Sequence, residues 1–249
     1  MSNDVVKSVG RVFQVLEFFD DAQSPRNASQ IGRALNYPAS STLALLKSMV
    51  TLGYLAFDRA ERVYAPTIRV SSLGRWIDAA LYKHGNLTDL LESLRFATEQ
   101  TVTLSVQNDL TMQFIYVTHG PAFSLTIRAG NTVPLFRSAI GIIALSGRPD
   151  AETAKFVERF NRRCRSPEQK VDLDVLMAQI RRARAQGFMT GYDLFYPGVG
   201  TIGFPFVANF ARSPVVLVVT GTTAKLKENE TRIVRTVRDA LKKLTKATT

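Results

Sequence analysis

The chain has 249 residues, 45% apolar and 21% charged, a balance that excludes a disordered or fibrous protein and allows one large domain or two modest ones. No stretch approaches the roughly 18 unbroken apolar residues of a membrane helix, and the opening MSNDVVKSVG lacks the apolar core of a signal peptide, so a cytoplasmic protein with no membrane partner is expected. A single cysteine, Cys164, excludes an internal disulfide framework and a multi-cysteine zinc site, and the two histidines, His84 and His119, have no metal-ligand spacing around them.

The formal net charge is +11, which favours polyanionic partners. Residues 1–75 carry nine Lys/Arg against six Asp/Glu, whereas residues 76–249 carry twenty-three against fifteen. Most of the surplus therefore lies outside the segment whose pattern suggests DNA binding, and local pattern must carry that reading.

Residues 8–19 place Val9, Val12, Phe13, Val15, Leu16 and Phe19 at helical spacing, with Ser8 as a cap. After the polar loop DDAQSPRN, Asn27 caps a short helix over 28–35. Asn36, Tyr37 and Pro38 break the chain, and a helix over 39–52 follows, with Pro38 suited to its first turn and Gly53 at its end. Two β-prone runs, 54–57 and 62–65, flank a polar turn and predict a hairpin. Three helices with a tight break between the second and third, then a hairpin, is the layout of a winged helix-turn-helix, whose later helix enters the major groove.

A helix over 72–82, with Leu73, Trp76, Ile77, Ala80 and Leu81 along one side, is too apolar for a plain linker and suggests a packed connector. The rest alternates. Helices are expected at 87–100, 138–146, 151–162, 174–186 and 228–244, and strands at 102–107, 114–118, 124–128, 201–207 and 215–221. This is an α/β domain of the ligand-sensing kind. No G-x-S-x-G elbow or G-x-x-x-x-G-K-[ST] loop occurs, and the glycine pair of Gly198-Val199-Gly200 reads as a turn. No catalysis and no cofactor are expected.

Several short runs carry a resemblance. Ser8-Val9-Gly10-Arg11, the 28–35 segment, Pro38, Ser40-Ser41, Leu45-Leu46, Gly53-Tyr54-Leu55, Val63-Tyr64 and Ser72-Leu73-Gly74 come first. Val133-Pro134-Leu135, Ser138-Ala139-Ile140-Gly141, Gln186-Gly187-Phe188, Pro197-Gly198-Val199 and Ile202 follow. In this order and spacing they resemble the isocitrate lyase regulator (IclR) family of bacterial transcription factors. The resemblance implies an α/β two-domain protein. A winged helix-turn-helix over 1–70 and a linker helix over 71–86 would precede a GAF-like effector-binding domain over 87–249, in a homodimer or homotetramer. It departs from the family at Leu43, Ala44, Ile142, Thr201, Val218 and Thr220. Ala44 stands where an arginine is usual, which removes the side chain best suited to a bidentate guanine contact.

Ser40, Ser41 and Thr42 open the recognition helix, where hydroxyls bond phosphate oxygens or merely cap the helix. Lys47 follows on a face away from Leu46 and Met49, suited to phosphate or to solvent. Arg59 and Arg62 flank the wing turn, where an arginine can enter the narrow minor groove or balance Asp58 and Glu61; Arg26 and Arg33 lie nearby. In the second domain the resemblance places a pocket at Ala139, Ile140, Thr201, Val218 and Thr220, with Tyr192 and Asp193 on a loop. Few polar groups there select an apolar or aromatic ligand body with one polar handle. Arg128 or Arg137 could hold its carboxylate by a two-bond fork, or both could face solvent. The same shortage fits a member that binds no small molecule. Cys164, in the basic run 159–165, is either redox-sensitive or incidental.

The expected function is a regulator of catabolic genes that binds a double-stranded DNA operator under control of a small organic effector. The alternative is a small-molecule-binding or scaffold protein of the same fold that has lost sequence-specific DNA binding.

Overall fold

In the computed structural model, described for residues 6–74, 87–121, 127–194, 196–206 and 214–246, the chain forms two compact units, residues 1–77 and 78–249. The connector helix expected over 72–82 lies, past residue 74, outside the described residues, as does His84.

The first unit contains α1 (Lys7–Ala22), α2 (Ala28–Leu35), α3 (Ala39–Thr51), the hairpin β1 (Leu55–Asp58) and β2 (Val63–Pro66), and the short α4 (Ile68–Ser72). Ser8 sits inside α1, which has no side-chain cap. Only Val15 and Phe19 of the expected stripe are buried, while Val9 and Phe13 stay exposed. Asn27 caps α2 as expected, its carboxamide accepting from Gln30 N while Gln30 answers at Asn27 N. Pro38 stands at the cap of α3, one residue before its first turn. Gly53 takes φ 79°, a left-handed conformation that ends the helix at no steric cost. Ile31, Leu46, Met49, Leu55 and Tyr64 close a small core with Val15 and Phe19.

The second unit begins with α5 (Leu87–Thr98), β3 (Thr101–Asn108), β4 (Thr111–Thr118), β5 (Thr132–Pro134), α6 (Ala139–Ser146) and α7 (Asp150–Asn161). It continues with α8 (Leu173–Gln186), β6 (Met189–Tyr192), β7 (Val199–Phe206), β8 (Val215–Thr222) and α9 (Thr223–Lys246). Six strands make one antiparallel sheet in the order β5-β4-β3-β8-β7-β6. Strands β5 and β6 were not legible in the sequence, being three and four residues long. Of the strand expected over 124–128, residues 124–126 lie outside the described residues, and 127 and 128 are not in a strand.

Alternation on β8 explains the layers. Val216 and Val218 face one side, in a cluster with Ile140, Ile143, Leu176 and Ile180 of α6 and α8. Val215, Leu217 and Val219 face the other, with Leu91 and Leu94 of α5 and Leu226, Ile233 and Val237 of α9. The segment AIGIIALS of α6 is apolar all round and buried at seven of its eight positions, as a helix must be when covered on every side.

A carboxylate ties α5 to the sheet. Glu92 accepts from the Thr118 hydroxyl and, at 2.8 Å, from Arg95 Nε. The Thr118 hydrogen bond, then the arginine, hold its carboxyl below the ordinary value of 4.5. With the folded-state value depressed, the stabilisation is complete above the ordinary carboxylate range and lost as pH falls through the folded value. Thr118→Val should therefore lower the urea midpoint at neutral pH, and the difference from the parent protein should shrink in acid; a pH-independent difference would refute the coupling.

Candidate functional sites

In the first unit, α2 and α3 cross at Gly32, where an added methyl carbon would meet Thr42 Oγ1 at 3.0 Å. Thr42 is consequently buried and its hydroxyl donates to Pro38 O at 3.0 Å. The expectation that Thr42 touches DNA is corrected: it is the packing residue of the helix crossing. Ser41 is half-buried with its hydroxyl on the same carbonyl, whereas Ser40 is exposed and makes no side-chain hydrogen bond among the described residues. Lys47 is exposed on the outward face.

The wing turn is held by Asp58, whose Oδ1 accepts from Ala60 N and Glu61 N, and Arg62 adopts φ 55° there. Arg59 and Arg62 are exposed. Among the described residues no ion pair involves any residue before Glu92, so Arg33, Lys47, Arg59 and Arg62 present unpaired charge. Arg26 is different. Its backbone bridges to Tyr64, joining the α1–α2 loop to β2, and its guanidinium donates to Ser24 Oγ and Pro25 O. It braces the wing.

In the second unit a cavity of about 350 Å³ opens between the sheet and the start of α6. Its floor is a register row across three strands, Gly191 beside Thr201 beside Thr220. Ser138 caps α6 at its edge, accepting from Gly141 N and donating to Pro134 O. The amides of Ala139 and Ile140, at the helix start, have no acceptor among the described residues. Phe114, Ile127, Leu194 and Tyr196 supply the apolar walls. None of the described lining residues carries a charge. Thr220 is 2% exposed and its hydroxyl has no partner among the described residues.

Of the expected pocket residues, Ala139, Ile140, Thr201 and Thr220 come together here. Four do not. Val218 shares the face of Thr220 but is covered by α6 and belongs to the core. Tyr192, one residue past Gly191, points to the opposite face of the sheet, where its hydroxyl donates to Glu230 at 2.5 Å and Lys227 lies over its ring. Burial, then the Glu230 carboxylate, push its pKa up. Asp193 accepts from Gly198 N and Thr223 Oγ1 and pins the 193–198 loop to the start of α9. Arg128 is exposed on a turn closed by Asn131, and Arg137 donates to the carbonyls of Glu168 and Gln169. Neither arginine lines the cavity.

Sequence reasoning missed Phe114, Ile127, Leu194 and Tyr196, which lie on β4 and two loops without periodic signal. Gly191 carried a usable signal: an added methyl carbon would meet Ala139 Cβ at 2.9 Å and Leu194 Cδ1 at 2.8 Å, and a glycine within a strand marks such close approach. Cys164 is half-buried, its thiol directed at the Phe160 and Gln169 carbonyls. Among the described residues no group of three His, Cys, Asp or Glu could hold a metal ion, and no helix is long and apolar enough to cross a membrane.

A helix-turn-helix with an unpaired basic wing, followed by an α/β unit with an enclosed, uncharged cavity, defines a DNA-binding regulator with a ligand-sensing domain. The IclR helix-turn-helix domain matches residues 8–59, and the C-terminal domain of bacterial transcriptional regulator IclR matches residues 86–246. The chain belongs to the IclR family, whose members are transcriptional regulators rather than enzymes. It is 20% identical over 227 residues to the HTH-type transcriptional regulator XynR of Escherichia coli K12, covering 91% of this chain and 90% of that protein. It is 22% identical over 230 residues to KdgR of the same organism, covering 90% and 86%. The fold agrees with the crystal structure of the Thermotoga maritima IclR (TM-score 0.59, 17% identity, 97% of this chain and 96% of that one). It also agrees with an IclR regulator from Alicyclobacillus acidocaldarius (TM-score 0.62, 17% identity, 98% and 100%).

The start of α6 tolerates nothing larger than glycine at its third residue. A methyl carbon on Gly141 would lie 1.8 Å from Leu135 O, a backbone atom that cannot swing aside. Gly141→Ala should cost about 1–3 kcal/mol or more in chemical denaturation, with the loss in the second unit; an unchanged midpoint would refute this packing.

Proposed function

We propose that the chain is a cytoplasmic, sequence-specific regulator of catabolic genes, acting as a homodimer or homotetramer on a double-stranded operator. Residues 1–70 would bind DNA, 71–86 connect, and 87–249 bind the effector. The observation that carries the DNA part is the unpaired charge of Lys47, Arg59 and Arg62 beside the exposed hydroxyl of Ser40. Serine and the start of α3 position the helix on a phosphate, Lys47 meets a second, and the wing arginines reach the minor groove. Ser41 contributes through its hydrogen bond to the Pro38 carbonyl at the helix start.

The effector is a small molecule with an aromatic or aliphatic body and a single carboxylate. Support comes from the walls of the 350 Å³ cavity and from the free amides of Ala139 and Ile140, where a helix start favours one negative charge. With Arg128 and Arg137 turned away, no fork receives a second carboxylate. Thr201 and Thr220 offer hydroxyls to the handle. Binding alters DNA affinity only as far as the two conformations hold the effector with different affinities. Among the relatives is the Pca regulon regulatory protein of Pseudomonas putida, 23% identical over 211 residues, a regulator named for its regulon.

Two experiments test these parts separately. Ser40→Ala with Lys47→Ala should weaken binding to the operator, found by tiling upstream DNA against random duplex, without lowering Tm. The Lys47→Ala change alone should reduce the salt slope of log K by about 1. Equal binding by variant and parent would refute these contacts, and uniform weak binding to every duplex would refute the reading and favour a scaffold that has lost DNA recognition. For the effector, aromatic monocarboxylates should raise Tm, by the equivalent of about 2.7 kcal/mol at a hundredfold excess over Kd. Their primary amides should do less, and Thr220→Val should diminish the shift. A library of acids producing no shift would refute the pocket.

A further inference from the structure

Helix α3 turns inward at Thr42, Leu46 and Met49 and outward at Ser40, Leu43, Ala44 and Lys47. Leu43 keeps 43% of its surface in solvent. It lines a shallow surface groove between α2 and α3 with Ala39 and Tyr37, and Arg33 stands at the rim. An apolar strip thus runs along the outward face, with free cations beside it at Arg33 and Lys47.

The chemistry of base edges narrows what such a strip can read. Guanine offers two acceptors that suit Arg or Lys, adenine an acceptor and donor that suit Asn or Gln, and cytosine a donor that suits a carboxylate. Ser40, Leu43 and Ala44 carry no cationic, amide or acidic head, and Lys47, one turn past Leu43, is assigned to phosphate in the proposed function. Thymine alone presents a methyl group in the major groove, and its preferred partner is an apolar side chain. The flanking cations match the phosphates on either side and disfavour an apolar protein segment as the occupant.

We propose that Leu43 and Ala44 form a thymine-reading surface: the operator half-site is selected by contact of these two side chains with thymine 5-methyl groups, while Lys47 and the wing arginines supply phosphate affinity. This rests on the proposed entry of α3 into the major groove.

The test uses the full chain and two pools of random duplexes, one synthesised with thymine and one with uracil, which pairs identically and lacks only the methyl. Selection from the thymine pool should yield a motif with thymines in each half-site. Remaking that duplex with uracil at those positions should weaken binding about fourfold per methyl, the fold-change for about 0.8 kcal/mol per buried carbon. Leu43→Ala, with an unchanged Tm, should narrow the difference between the thymine and uracil duplexes, leaving the part that Ala44 reads. A selected motif whose affinity ignores the methyls would overturn the inference and leave DNA binding intact. No motif from either pool would overturn the proposed function and this inference with it.

Discussion

The second unit depends on the complete burial of β8. Its seven positions from Val215 to Gly221 are all buried, so both faces of the sheet must be covered, at about 1.5–3 kcal/mol for each large apolar side chain removed from water. α5 and α9 cover one face, α6 and α8 the other. The cavity lies at the start of α6, whose first residues line it. Beyond its first residues the floor is no longer valine but Thr220, Thr201 and Gly191, and the helix start faces that floor across an open space.

The first unit obeys a comparable constraint on a smaller scale. A domain with so few core residues needs close helix approach, and Gly32 against Thr42 supplies it. That contact rotates α3 so that Thr42, Leu46 and Met49 point inward. Whatever lies a half-turn away becomes the outward face. Burial of a hydroxyl at position 42 is tolerated because the Pro38 carbonyl, which also takes the Thr42 amide and the Ser41 hydroxyl, accepts it.

Charge is distributed by the same logic. Some cations of the second unit are engaged, as in Arg159 with Asp109 and Arg184 with Asp150, and none of the described ones lines the cavity. Those of the first unit's outward helix and wing are unpaired. Exposed cations outside any ion pair among the described residues also occur on the second unit, at Arg181, Arg182 and Lys225 for example. Asp193 adds a mechanical link: by holding Gly198 and Thr223 together, it joins the loop carrying Leu194 and Tyr196 to the start of α9, so a ligand against that loop also loads the helix.

Local chemistry made much of this legible beforehand. Asn27 at a cap, the break at Asn36–Pro38, Gly53 in a left-handed turn and the apolar period of each long helix are properties of a few neighbouring residues, and helix-turn-helix and α/β order followed from them. The short strands β5 and β6 were not legible, since three or four residues carry too little alternation and, unlike β1 and β2, these two do not flank a shared polar turn. Burial decided the sites. Tyr192 and Gly191 are neighbours in sequence, yet the pleat sends one to α9 and the other to the cavity. Val218 and Thr220 share a face, yet only one escapes the cover of α6. Ser40 and Thr42 are equally plausible hydroxyls on paper, and the crossing at Gly32 buries one of them. The sequence by itself determined the longer helices and strands and which family the chain resembles. Only the tertiary structure decided which side chains meet solvent, ligand or core, because that depends on contacts between residues distant along the chain.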